Sequence, residues 1–363
     1  MDGFSFLQRK FLLVLVAAFP ICSYGAQVPS PSIWMTDKIN EEFAHFRGQK
    51  AISKKKIDQL ITDPYYEWGL FTKYTIQNNK VTCTQNFKAF HPRVNSLRES
   101  FQALCDRFPL PDMDFIVSMH DSMDQQFDVP IFVMAKKNGK NEQILIPDFE
   151  ALKGRYQVLT GQDITQDILP SWETRKAQMI WRGSTVQHPP NGYPISWDYR
   201  DPHCLSRVTL CALSLSYPHL IDAKFTLYQE GTENVACLQK YRGTILPYED
   251  QMHYKYHMLI DGYSSSYSTS GWKFFSQSLV FKEDSDHIQW YYNDLKPYVH
   301  YIPVKEGLTD LIQCLQWAMQ HDHEAKTIAR QAREFALSHL VQELNYIYLY
   351  YTLLAYKQLN IGN

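Results

Sequence analysis

The 363-residue sequence contains no GxGxxG and no GxxxxGK[ST]. The two glycine-rich loops that cradle dinucleotides and nucleoside triphosphates are therefore missing as fingerprints. HExxH, CxxC and GxSxG are absent too, which leaves a helix-borne zinc site, a cysteine zinc site and a nucleophile-elbow hydrolase without their signatures. Charge of one sign is also scarce. Lys plus Arg, 36, nearly cancel Asp plus Glu, 38, for a net charge of −2, so no general attraction to nucleic acid is expected and any phosphate must be recognised locally. There is no internal repeat, low-complexity tract or long linker.

Hydrophobic residues make up 45% and charged residues 20%, the balance of a folded chain rather than a disordered one. The length exceeds what one core usually spans, so two lobes or one large α/β domain are expected. Aromatic residues reach 14%, with 24 Tyr and 8 Trp; flat amphipathic rings suit sugar faces, and they suit cores and interfaces equally. At the N-terminus Arg9 and Lys10 precede an apolar run from Phe11 to Cys22, followed by Ser23, Gly25 and Ala26. That order reads as a secretory signal over residues 1–26, because a membrane span needs roughly 20 apolar residues. An uncleaved anchor, with membrane association through it, is the alternative, and either places the body in the secretory pathway or cell envelope. Loss of Cys22 with the signal would leave six of the seven cysteines, an even number compatible with disulfides. Cys83 with Cys105 is the preferred pair, and free buried thiols are the alternative.

Residues Tyr74–Val81 read as a hairpin around Asn78-Asn79, a pair that tolerates positive φ. A helix from about Arg93 to Phe108 follows, then a buried strand at Phe115–Met119 bounded by acids. Further strands are expected at Ile131–Met134, Ile144–Ile146, Met179–Trp181, Lys224–Leu227, Ser278–Phe281 and His300–Val304. Helices are expected at Leu205–Leu215, Leu308–Met319 and Glu324 to about Leu340, with a Tyr-rich stretch at Tyr346–Tyr356 packing against the body. Such alternation argues for parallel sheets. The seam is placed near Ile164–Trp172, where Pro170 and polar residues interrupt the pattern. It separates an N-terminal, acceptor-side lobe over 27–165 from a C-terminal lobe over 166–340, with residues 341–363 returning to the body.

Four groups of residues could carry chemistry. Trp181-Arg-Gly-Ser-Thr185 offers Arg182 as a fork of donors, Gly183 for close backbone approach to an oxyanion, and the hydroxyl of Ser184. Asp261-Gly-Tyr-Ser-Ser-Ser-Tyr-Ser-Thr-Ser-Gly271 leads into a helix whose N-terminus could face an anion; N-capping serines explain it as well. Asp121 closes the apolar strand 115–119 at its C-terminal end, where open α/β sheets collect ligands, and could act as a general base. Asp112-x-Asp114 resembles a metal-holding DxD, though turn-capping aspartates account for it equally. His253 and His257 have the i, i+4 spacing of helix-borne metal ligands, but a third ligand is missing and no metal is expected.

Taken in order, these segments resemble glycosyltransferase family 90, the group of capsule-associated, lipopolysaccharide-modifying and protein O-glucosyltransferases. The likeness runs from about Trp68 to Leu340. Its most specific stretch is Leu295-Lys-Pro-Tyr-Val-His-Tyr-Ile-Pro-Val304, leading to Asp310-Leu311 and Ala325–Phe335. The hairpin, Leu110–Asp121, Trp181–Ser184, Arg207–Thr226, Lys255-Tyr256 before Asp261-Gly262, and Ser278–Phe281 are also similar. The resemblance implies an α/β GT-B fold, two Rossmann-like lobes with a donor cleft between them. It implies inverting transfer of a hexose or pentose from a UDP-sugar co-substrate, with no cofactor and no required metal ion. Asp121 then falls on the catalytic base. Arg182, Gly183, Ser184 and Arg207 fall on the donor-phosphate positions, and Lys255, Gly262, Ser266, Lys273 and Ser278 on the donor side.

Two departures stand out. Protein O-glucosyltransferases carry Ser-x-Arg where this chain has Ser266-Tyr-Ser268, leaving Lys273 as the substitute charge, a point rather than a fork. Their Arg-Asp-Tyr-Pro around the base is here His120-Asp-Ser-Met123. The leading expectation is an active transferase acting on a hydroxyl of a glycan, lipopolysaccharide, capsule or protein, with the departures arguing against an epidermal-growth-factor-like acceptor. The alternatives are a non-catalytic sugar- or nucleotide-sugar-binding protein with the same fold, and a metal-dependent GT-A enzyme using Asp112 and Asp114.

Overall fold

The computed structural model describes residues 28–48, 52–88, 91–121, 123–158, 169–187, 196–201 and 203–362. The expected signal segment and most of the expected seam lie outside the described residues. The first half runs through α1 (Ile33–Glu42), α2 (Lys54–Thr62), β1 (Phe71–Gln77), β2 (Lys80–Gln85), α3 (Pro92–Arg107), β3 (Met113–Ser118), β4 (Ile131–Val133) and β5 (Gln143–Leu145). The second runs through β6 (Lys176–Ser184), α4 (Ser206–Ser216), β7 (Ile221–Leu227), β8 (Tyr254–Leu259), α5 (Tyr267–Phe275), β9 (Leu279–Glu283), β10 (Ile302–Val304), α6 (Leu311–Gln320), α7 (Asp322–His339) and α8 (Gln342–Lys357).

The β1–β2 hairpin turns at Asn78 and Asn79, with φ of 50° and 58°, values that Asn tolerates because its short polar side chain bonds locally. Asp112 fastens the turn by accepting the Asn78 N–H at 2.8 Å. β1 pairs antiparallel with β2 and β3, whereas β3, β4 and β5 are parallel, giving the order β2-β1-β3-β4-β5. The first sheet is thus mixed, not wholly parallel. β3 lies at its centre, which is why Phe115, Ile116 and Val117 are all fully buried.

The second sheet is parallel throughout, in the order β10-β9-β8-β6-β7. Its second strand lies outside the first and its third on the other side. The connections therefore diverge between β6 and β8, and the crevice above those strand ends is where sheets of this order bind ligands.

Two apolar cores follow the two sheets. The first extends beyond the N-terminal half. It takes in Phe274 and Phe275 of α5 and Tyr346, Tyr348, Leu353 and Tyr356 of α8. Tyr356 stands 5.2 Å from Phe132 and 6.4 Å from Phe115, so the C-terminal helix closes the N-terminal sheet. Burying each such ring contributes about 1.5–3 kcal/mol. Ile361-Gly362 then pairs with Ile52-Ser53.

Three expectations need correction. The central strand β8 escapes the sequence reading because Lys255 and His257 interrupt the apolar run expected of a strand covered on both faces. His253 and His257 consequently do not share a helix. His257 is fully buried, its Nε2 lies 2.9 Å from the Gln251 carbonyl, and burial pulls its pKa down to about 3, so it is neutral. Cys83 and Cys105 are free thiols, as are Cys204, Cys211, Cys237 and Cys314. Cys105 lies inside α3 facing the core. Among the described residues no helix is long and apolar enough to cross a membrane.

Candidate donor and base site

Arg207, on the first turn of α4, occupies the crevice between β6 and β8. Its Nη1 donates to the carbonyl and hydroxyl of Ser184 at 3.1 and 3.0 Å, and its Nε to the Asp261 carbonyl at 3.0 Å. Nη2 reaches the Ile260 carbonyl at 3.3 Å and Ser266 Oγ at 3.4 Å. The guanidinium thus ties the loop after β6 to the loop after β8 and commits every donor it has. Burial lowers its pKa to about 10, with Asp261 and Glu283 opposing that shift; it remains charged at neutral pH. What it offers an anion is field rather than a free N–H. Gly262 is small for this reason. A Cβ there would stand 3.2 Å from Arg207 Nη2 and 3.7 Å from the Val186 carbonyl.

Around this clamp, Gln187 Oε1 accepts the Arg207 backbone N–H at 3.0 Å. Glu283, at the C-terminal end of β9, accepts the Ser206 hydroxyl and, at 3.0 Å, the Gly307 N–H. Burial drives its carboxyl up to about 7.

Asp121 stands just beyond the C-terminal end of β3. Its Oδ1 accepts two bonds of 2.7 Å, one from Arg93 at the start of α3 and one from the Tyr267 hydroxyl at the start of α5. Among the described residues Oδ2 has no hydrogen bond, and the side chain is 29% exposed. Arg93 also holds the Met119 carbonyl at 2.9 Å and lies 5.3 Å from the Tyr267 ring. A carboxylate from the first half and the Asp261–Ser266 loop of the second half are thereby brought together, Tyr267 following directly on Ser266.

The sequence profile of glycosyl transferase family 90 matches residues 35–361. The chain belongs to this family. It is 27% identical to zebrafish (Danio rerio) protein O-glucosyltransferase 2 over 79% of its length and 55% of the relative's, and 27% identical to human protein O-glucosyltransferase 3 over 80% and 56%. Rat (Rattus norvegicus) protein O-glucosyltransferase 1 is 26% identical over 83% of the chain and 74% of the relative. The chain therefore spans little more than half the length of the first two.

Within this family-90 chain, Ser184, Arg207, Gly262 and Ser266 share the crevice, and Asp121 faces the loop that ends in Ser266. The remaining expected residues lie elsewhere. Arg182 is paired with Asp222 at 2.8 Å and also donates to the Asp222 and Trp181 carbonyls at 2.9 and 3.0 Å. Gly183 makes room for the Trp181 indole, which a Cβ would meet at 2.3 Å. Lys273 is buried against the Met258 carbonyl at 2.7 Å, and burial followed by the Arg207 charge lowers its pKa to about 7. Lys255 and Ser278 sit at the opposite, N-terminal edge of the sheet. Lys255 pairs with Asp322 at 2.7 Å, and Ser278 Oγ bridges Arg175 and the Tyr254 carbonyl at 2.8 Å each.

Asp112 caps the hairpin and Asp114 lies 4.0 Å from Lys73, both at the far end of β3 from Asp121. No group of three or more His, Cys, Asp or Glu among the described residues could hold a metal ion. Arg93, Tyr267 and Glu283 were not anticipated from sequence. Two of them had a signal there: Tyr267 lies inside the Asp261–Gly271 loop, and Glu283 is a carboxylate two residues past an expected strand.

Proposed function

We propose that this family-90 chain is an inverting glycosyltransferase that moves a hexose or pentose from a UDP-sugar to an acceptor hydroxyl. The two sheets are read as the lobes of a GT-B fold, with the sugar nucleotide at the β6/β8 crevice. Asp121 removes the acceptor's proton through Oδ2 while the hydroxyl attacks the anomeric carbon, and the departing diphosphate carries away the bonding electrons. The buried charge of Arg207 and the hydroxyl of Ser184 stabilise that diphosphate, with Ser266 holding Arg207 in place, so no metal ion is required.

The observation that supports this best is the orientation of Asp121: one oxygen held twice, the other open, at the edge of the donor loop. The relatives' names point to glucose and to a protein hydroxyl, with UDP-glucose the first donor to try. The altered neighbours of Asp121 fit an acceptor surface of different shape, such as a glycan, lipopolysaccharide or capsule. The charged, apolar and small-residue order of the N-terminus supports a secretory or cell-envelope location, anchored if that segment stays.

The test is UDP release from a panel of UDP-sugars, alone and with glycan and protein acceptors. Asp121→Asn should abolish release while leaving donor binding intact. Full activity in that variant would remove Asp121 as the base, activity lost to a chelator would demand a metal, and donor binding without turnover in the wild type would favour a non-catalytic binding protein.

A further inference from the structure

We infer that Tyr267 is a positioning residue for Asp121: its hydroxyl, reaching from the donor loop to Oδ1, sets the direction of Oδ2 and makes the base depend on that loop's conformation. This rests on Asp121 being the base. Tyr267 is only 6% exposed, and a buried phenol that loses its acceptor is left without a partner at a cost, so the contact resists exchange with water. Burial and the Asp121 charge raise the phenol well above its ordinary range, keeping it a donor. Two donors, Tyr267 and Arg93, converge on one oxygen at 2.7 Å. Free rotation of the carboxylate would break both bonds at once, and Oδ2 is held outward as a result.

The main chain of Tyr267 is held from three sides. Its N–H donates to the Ser265 carbonyl at 2.7 Å, and its carbonyl accepts the Tyr156 hydroxyl and, at 3.3 Å, Ser270 Oγ. Tyr156 is itself wedged against Gly271, where a Cβ would meet its ring at 2.2 Å. Ser266, the preceding residue, is held by Arg207 and donates to the Ile260 carbonyl at 2.7 Å. A continuous set of contacts therefore runs from Ser184 through Arg207 and Ser266 to Tyr267 and Asp121. A sugar nucleotide that displaces Ser266 from Arg207 would move Tyr267, and with it the base.

The measurement is steady-state kinetics of Tyr267→Phe with whichever UDP-sugar the wild type turns over. Phe keeps the ring beside Arg93 and removes only the hydroxyl. The expected result is kcat lowered about tenfold, with donor KM within twofold and the thermal midpoint nearly unchanged. Arg93→Gln should show the same kcat-only loss, and the double variant should lose less than the product of the two. If Tyr267→Phe does not fold, Tyr267→His, which keeps a ring donor, takes its place, with kcat expected between that of the wild type and Arg93→Gln. Wild-type kcat in the Tyr267 variant, or a loss confined to donor KM, would overturn the inference. Asp121→Asn separates the failures: if it is active the base assignment itself falls, whereas an inactive Asp121→Asn beside an unimpaired Tyr267→Phe removes only the role of Tyr267. No turnover by the wild type with any donor would overturn both.

Discussion

Arg207 Nη1 donates to both the carbonyl and the hydroxyl of Ser184, joining a helix start to a strand end. A lysine has three donors on a point charge and cannot reproduce the planar fork that also reaches Asp261, Ile260 and Ser266. Arg207→Lys is therefore expected to lose about 2–4 kcal/mol of stability, because buried carbonyls are left without partners. It should also weaken UDP binding, and urea unfolding with UDP titration calorimetry reads both. Retained stability with unchanged UDP affinity would mean that the clamp is dispensable.

Arg182 behaves differently. Its partner is Asp222, and the side chains are 13% and 25% exposed, so its guanidinium is occupied at the side of β7 rather than shared with Arg207. Arg182→Ala and Asp222→Ala are each expected to destabilise the fold by about 1–3 kcal/mol, with a double variant little worse than either. UDP affinity, measured well below the unfolding midpoint, should stay within a few-fold of wild type. A selective loss of UDP binding in Arg182→Ala would show that the ion pair opens to meet a phosphate.

Gly183 and Trp181 occupy the same face of β6, two residues apart. A Cβ at Gly183 would fall 2.3 Å from the indole, so Gly183→Ala forces the ring to shift at a cost of about 1–3 kcal/mol. The additional change Trp181→Leu should recover part of that loss. Failure to recover, together with loss of UDP binding, would favour the other reason for a glycine here, approach of the backbone to an anion.

These placements show which features the chain order carried and which it hid. The Asn78-Asn79 turn, the apolar run of β3 and the position of Asp121 at its end are local, and were legible from a few consecutive residues. β8 was not, because a strand covered on both faces is expected as a continuous apolar run and this one includes His257 and Lys255. Lys255, the second residue of β8, and Ser278, just before β9, lie at the N-terminal edge of the sheet, away from the crevice; without β8 the place of Lys255 is hidden, whereas Ser278 already opened an expected strand. The Tyr267–Asp121 bond joins positions 146 residues apart, a proximity that exists only once the two halves are packed together, and the Arg93–Asp121 bond, 28 residues apart, exists only once α3 folds back along β3.

Asp148 gives a pH test of that packing. It caps the helix at Phe149–Leu152 through bonds from the Glu150 and Ala151 N–H groups, and its other oxygen meets the Tyr156 hydroxyl that also serves the Tyr267 carbonyl. One phenolic hydrogen cannot serve both acceptors. A protonated Asp148 resolves the conflict by donating to Tyr156, and burial drives its carboxyl from 3.8 up to about 7. The folded chain then holds a proton between about pH 4 and 7 that the unfolded chain has released. Stability should accordingly fall as pH rises through that window and level off above it, by a few kcal/mol from this group. Glu283, also pushed up to about 7, acts in the same direction. Asp148→Asn keeps a capping oxygen and a donor for Tyr156, so it should reduce the difference in unfolding free energy between pH 5 and pH 8 without removing it. An unchanged difference in that variant would mean that Asp148 is ionised in the folded protein and that Tyr156 does not bridge it to Tyr267.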